Sequence, residues 1–215
     1  MASAWEQQHV RAQRVLLALL NPQPDMLSGP WVRAYSKLRL PVDSDKVWIG
    51  GTYSASMARN MALRTVVQNG YGFLGLLGTD VIAPEDAFIK LVDAQHPLIA
   101  GFYRRNQPAY GPSALVLRQV TEKDDKGTER TRQVKDPMPL NFQWGQLVGV
   151  DLVPSGLTLI RRDLAIALLS RYPRPFETTL DIDNAEGHED IHLLSLRAKQ
   201  FGVQPAVHTG VVAEQ

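Results

Sequence analysis

The chain has no cysteine among its 215 residues, which removes disulfides, thiolate zinc sites and a cysteine nucleophile. Charge of one sign is not in excess either. Lys and Arg number 23 against 22 Asp and Glu, a net charge of +1, so no global field draws the chain to nucleic acid or membrane. Only local basic clusters, "YRR" and "LIRR", leave room for an anionic partner. The longest strongly apolar run near the start is Val15 to Leu20, too short for a signal-peptide core or a membrane span. The expectation is a cytoplasmic protein. Aromatics make up 7%, and apart from Tyr103, Phe142 and Trp144 the interleaving expected of a single-strand binder is thin. Internal repeats and low-complexity segments are missing too.

What is present suffices for one sizeable α/β domain. Hydrophobic residues are 44% and charged residues 21%, ordinary for a packed globular chain. "RVLLALL" (14–20) is a continuous apolar run closed by Asn21-Pro22, the pattern of a strand buried on both faces. Residues 46–51 and 72–77 predict two further strands, and 98–102 a fourth. Helical spacing runs from 53 to 68 and stops at Asn69-Gly70, and a second helix is predicted over 84–94. Such alternation predicts a mainly parallel sheet flanked by helices. Ligands in such sheets sit outside the carboxyl ends of the strands. Asn21-Pro22 and Gly78-Thr79-Asp80 stand at such ends.

The second half reads differently. Residues 114–121 and 128–134 alternate around "EKDDKG" and predict an inserted hairpin over 114–134, its charges nearly balanced. A short strand, a turn at Pro154-Ser155-Gly156 and another apolar stretch precede a helix over 163–171. A last helix is predicted over 188–201, stopped by Gly202, and a last strand over 205–213.

Several residues carry two readings each. Asp80 is either a turn or cap residue or a carboxylate that holds a divalent cation on a diphosphate. Arg59 and Asn60, early in a helix, form either an exposed face or a phosphate contact. Gly156 beside Ser155 either permits a tight turn or lets a sugar approach. Glu189 and Asp190 either favour a helix dipole or supply a general base. "HEDIH" (188–192) fits a zinc-hydrolase motif, but Ser195 and Ala198 stand where the extended pattern needs glycine and histidine.

In the order "RVLLALLNP … ARN … FLGLLGTDVIAPEDAFIKLV … PLIAGFYRR … VPSGLTLIRRDL … HEDIHLLSLRAKQFG", the chain resembles a GT-A-type glycosyltransferase over residues 14–213. That resemblance implies a Rossmann-type, mostly parallel sheet in a single domain. Residues 14–103 would form the nucleotide-sugar half and 104–215 the acceptor and catalytic half. It also implies a UDP- or GDP-sugar donor and a Mn²⁺ or Mg²⁺ cofactor. Asp80 would be the second acid of the metal turn, with Gly78 where the first acid belongs, and His208, Glu214 or Gln215 a candidate further metal ligand. Asn21, Pro22, Arg59, Asn60, Gly78, Thr79 and Asp80 would hold the donor, while Tyr103, Arg104, Trp144, Ser155 and Gly156 would face the acceptor. Asp190, with Glu189 beside it, would act as base in an inverting displacement. The acceptor would be a saccharide, a lipid-linked sugar or a hydroxylated base in DNA, as in viral DNA modification. Three other readings compete: a zinc hydrolase through HEDIH, a nucleotidyltransferase, and a non-catalytic nucleotide-sugar binding module.

Overall fold

Strand β1 (Val15–Asn21) lies inside the sheet, with a neighbour on each side, and has no polar face to show. Leu16 and Ala18 pack into one layer while Val15, Leu17 and Leu19 pack into the other, all at most 4% exposed. Each of these valine and leucine side chains contributes about 1.5 to 3 kcal/mol when fully withdrawn from water. The computed structural model describes residues 13–21, 27–50, 53–104, 111–123, 129–177 and 190–215.

Around β1 the described chain builds one large sheet. Its strands are β2 (Asp45–Gly50), β3 (Phe73–Gly78), β4 (Leu98–Phe102), β7 (Leu147–Gly149), β8 (Leu157–Arg161) and β9 (Ala206–Val212). The spatial order is β2-β1-β3-β8-β4-β9-β7. β1 pairs in parallel with β2 and β3, β8 runs antiparallel to both β3 and β4, β9 is parallel to β4, and β7 is antiparallel to β9. Five strands therefore point one way and two the other, so the sheet is mostly parallel, as the alternation predicts. β5 (Leu115–Lys123) and β6 (Glu129–Pro137) form the separate antiparallel hairpin. It is laced by Arg118–Asp136, Arg132–Glu122 and Lys123–Glu129 pairs, a solvated face.

Helices cover both faces. On one lie α2 (Ala55–Gln68), α4 (Arg162–Arg171) and α5 (Asp190–Gln200), burying Leu63, Val66, Leu164, Leu168, Ile191 and Leu194 against Leu16, Leu74 and Leu98. On the other lie α1 (Gly29–Lys37) and α3 (Ala87–Asp93), with Trp31, Phe88 and Leu91 against Leu17, Phe73 and Ile99. α1 has no counterpart in the sequence reading. It starts at Ser28, whose side chain accepts from the Trp31 N–H, with a proline in the first turn. No helix among the described residues is long and apolar enough to cross a membrane.

Candidate functional site

The edge where β1, β2, β3 and β4 end is also where antiparallel β8 begins. Topology alone thus brings Asn21, Thr79-Asp80, Tyr103 and Ser155-Gly156 to one rim. α2 starts on that rim because it follows β2 after a short connection, which puts Arg59 there as well.

The Gly78-Thr79-Asp80 turn is held at Gly78 by two hydrogen bonds, and the second of its partners is itself pinned. The Trp31 indole N–H donates to the Gly78 carbonyl at 2.9 Å, and the Gly78 N–H donates to the Gly156 carbonyl at 2.9 Å. The Gly156 N–H in turn donates to the Tyr103 hydroxyl at 2.9 Å. Trp31 and Tyr103 are buried, so both polar tips are spent inside the protein. Tyr103 thereby fixes the Gly156 turn from below. A β-carbon on Gly78 would lie 2.6 Å from Asp80 Oδ1. The carboxylate of Asp80 stands in the space that a side chain at 78 would need, and the Gly156 Cα would lie 3.3 Å from the same β-carbon. Replacing Trp31 with phenylalanine is expected to cost about 2 kcal/mol, from the unmet Gly78 carbonyl and the lost ring volume. Urea unfolding would measure it.

Asp80 is exposed, and its Oδ2 accepts from the Gln215 side-chain amide at 2.8 Å. Main-chain bonds between Ile82 and Glu214, at 2.7 and 3.1 Å, carry residues 214–215 up to this turn. Trp31 is not marked out in the sequence, whereas Gln215, a rough candidate there for a C-terminal metal ligand, is in the structure a hydrogen-bond donor to Asp80. His208 sits on β9 opposite Gly101 and Leu147, and its Nδ1 accepts the Gly210 N–H at 3.1 Å. Burial, opposed by a backbone hydrogen bond and aided more weakly by the positive charge of Lys90, pushes its imidazole below the usual pKa of 6.5. No hydrogen bond or ion pair joins it to Asp80 among the described residues, and no group of three His, Asp or Glu among them converges as a metal cage. Mg²⁺-type cations are commonly held by one or two carboxylates together with substrate phosphates, and exposed Asp80 fits that single-ligand role.

On the same rim, across the α2 face, Arg59 donates through Nη1 to Asp190 Oδ2. Their side chains are only 11% and 16% exposed. Asp190 opens α5, and its Oδ1 accepts the Ile191 N–H at 2.7 Å. The next residue, Asn60, is buried and grips residues 176–177. Its Oδ1 accepts from the Phe176 N–H at 3.1 Å and its Nδ2 donates to Glu177 Oε1 at 3.3 Å. Arg59 and Asn60 are thus a tie between α2 and the two segments that flank it. No hydrogen bond or ion pair joins Asp190 to Asp80 among the described residues.

The remaining candidates are spread along the rim. Arg104 is exposed and bridges to Pro112, and Ser155 is partly exposed beside Gly156. Trp144 is 63% exposed and stands against Phe102, the last residue of β4. Of the HEDIH run, His192 is buried in α5. Pro22, His188 and Glu189 lie outside the described residues, and for Asn21 only the main chain is described, paired with Gly50.

The sequence matches no protein-family model and no curated protein. Solved structures do resemble the fold. A197 from STIV aligns with a TM-score of 0.59 at 14% identity, over 93% of this chain and 84% of that one. GalNAc-T7, crystallised with UDP, GalNAc and Mn²⁺, aligns with a TM-score of 0.54 at 8% identity, over 94% of this chain but 44% of that longer one. At these identities the likeness is one of fold: a helix-flanked central sheet of the kind found in GT-A proteins.

Proposed function

We propose that this chain is a glycosyltransferase that moves a sugar from a nucleotide-sugar to an acceptor hydroxyl at the rim described above. The observation that carries the reading is the Gly78-Thr79-Asp80 turn, locked by Trp31, Gly156 and Tyr103 so that an exposed carboxylate stands beyond the end of β3. The fold shared with a protein crystallised with UDP, GalNAc and Mn²⁺ supports it.

In this reading Thr79 and Asp80 take the diphosphate side of the donor, and Asp80 would hold a Mn²⁺ or Mg²⁺ ion there. When bound, such a cation supplies positive charge to the departing diphosphate oxygen. Rigidity of the turn matters because a preorganised group need not reorient as charge develops. Asp190 is the candidate base for the acceptor hydroxyl. Both its oxygens already accept one hydrogen bond, from Arg59 and from the Ile191 N–H, but each keeps a second lone pair for a substrate proton. Arg59 fixes that carboxylate in one orientation. Attack from the face opposite the leaving group would invert the anomeric centre.

Thermal unfolding with UDP, GDP and their sugars, with and without Mn²⁺, tests the reading. A ligand present at a hundred times its Kd adds about 2.7 kcal/mol to stability. A Mn²⁺-dependent rise in Tm with one nucleoside diphosphate, lost in Asp80→Asn, is the expected result. Absence of any nucleotide effect would sink the proposal. Pyrophosphate release from a nucleoside triphosphate would replace it with a nucleotidyltransferase.

A further inference from the structure

We infer that Trp144 is a stacking platform for an uncharged saccharide ring, which names the acceptor class of the site proposed above and rests on that reading. The indole is exposed yet fixed. Phe102, buried at the end of β4, meets it edge-on at 5.5 Å and 87°, and Phe142 meets it at 5.2 Å and 83°. Phe142 and Phe102 are themselves 5.5 Å apart at 67°, so the three rings brace one another in edge-to-face contacts, a favoured aromatic geometry. A surface tryptophan held this way offers a flat apolar face at little further ordering cost.

The main chain beneath it is equally fixed. The Gln146 N–H donates to Thr209 Oγ1 at 3.0 Å, and the Thr209 N–H returns to the Gln146 carbonyl at 2.9 Å. Thr209 is fully buried. Two amides flank the indole in sequence, Gln143 and Gln146, and they are joined by a 2.8 Å hydrogen bond. They present neutral donors and acceptors beside an apolar plane. A pyranose has that same division, with a C–H face and a rim of hydroxyls.

Charge decides between saccharide and polynucleotide. Residues 138–149, "MPLNFQWGQLVG", contain no ionisable side chain. The nearest acids on either side, Asp136 and Asp151, are committed to Arg118 and Lys199. A polyanion would need several cations along this face to offset its phosphates or sulfates; the loop supplies none, and exposed Arg104, two positions after Phe102, is a single charge. The platform also adjoins the proposed reaction rim. The Phe102 carbonyl accepts from the Ala213 N–H at 2.9 Å, and two residues later Gln215 bonds Asp80.

The test is direct binding, without turnover. The full chain is passed over arrays of neutral oligosaccharides, sialylated and sulfated glycans, and a short oligothymidylate, at low and moderate salt. Neutral glycans should be retained, insensitively to salt. Trp144→Ala should weaken retention by about tenfold or more, corresponding to about 1.4 kcal/mol, and Trp144→Phe should weaken it less. The phenylalanine variant keeps a ring in the triad and guards against misfolding as the cause. Failure to retain any neutral glycan, preference for the anionic probes, or wild-type retention by Trp144→Ala overturns the inference. The nucleotide thermal shift is read separately on the same protein. Nucleotide binding without glycan binding overturns the platform alone, whereas glycan binding without nucleotide binding overturns the transferase reading.

Discussion

Arg59→Ala is expected to lower stability by about 3 kcal/mol, the largest single loss among the rim residues. The substitution strands the Asp190 carboxylate, whose side chain is only 16% exposed, with one backbone N–H in place of a guanidinium. Helix α5 would soften part of the loss, since a carboxylate in its first turn is favoured by the helix dipole. Asp190→Asn should cost less than Arg59→Ala, because an amide oxygen still accepts from Arg59 and no anion is left unpaired. Combining the two should recover part of the arginine loss, with a coupling of about 1 to 3 kcal/mol in urea unfolding. The same variants separate anchoring from chemistry. An anchor alone would let Asp190→Asn transfer sugar in proportion to its folded fraction, whereas a base would lose transfer while the protein stays folded.

Most of the sheet was legible because its strands are buried on two faces. "RVLLALL", "GFLGLL" and "PLIAGF" can lie nowhere but a core, and β1, β3 and β4 fall within a residue or so of where they are expected. The hairpin was legible for the opposite reason, since its alternating charge suits a two-stranded ribbon in water. α1 was not. Its apolar residues, Trp31, Val32 and Tyr35, are few and sit behind a proline-rich stretch that reads as loop. The reversal of β8 was hidden because strand direction is set by connections, which leave no periodic trace. The site shows the same division. That Asp80, Gly156 and Tyr103 meet at one rim follows from where the strands end. The Trp31–Gly78–Gly156–Tyr103 hydrogen bonds do not, because they run largely through backbone atoms and join residues 47 and 53 positions apart at their ends. In the sequence Arg59 reads as an exposed face or a phosphate contact; its partner in the structure is Asp190, 131 positions away. An ion pair at that separation leaves no mark on either local sequence.

Gly156→Ala tests whether the rim depends on that hydrogen-bonded frame. A methyl group at 156 would lie 2.7 Å from Tyr103 Oη and nearer still to Val81 Cγ2. Both neighbours are buried, so neither can swing into solvent, and the added carbon must be met by backbone movement. The expected cost is about 2 to 3 kcal/mol, and for a domain of this size that lowers Tm by about 5 to 10 °C. Gly78→Ala should behave differently. Its methyl would press on Asp80 Oδ1, the free end of an exposed side chain, and stand 3.3 Å from the Gly156 Cα, so the carboxylate would turn away from Gln215, the main chain would give by a few tenths of an ångström, and stability would fall by less. Gly29→Ala serves as the control, since its methyl would meet only Arg33 Nη1 at 3.5 Å, an ordinary contact. Three alanine variants thus sort by what stands over each glycine: packed core at 156, the candidate cation ligand at 78, and one surface arginine at 29. If calorimetry shows Gly156→Ala as stable as Gly29→Ala, the turn is not clamped between Tyr103 and Val81. Asp80 would then lack the fixed footing on which its proposed role at the diphosphate depends.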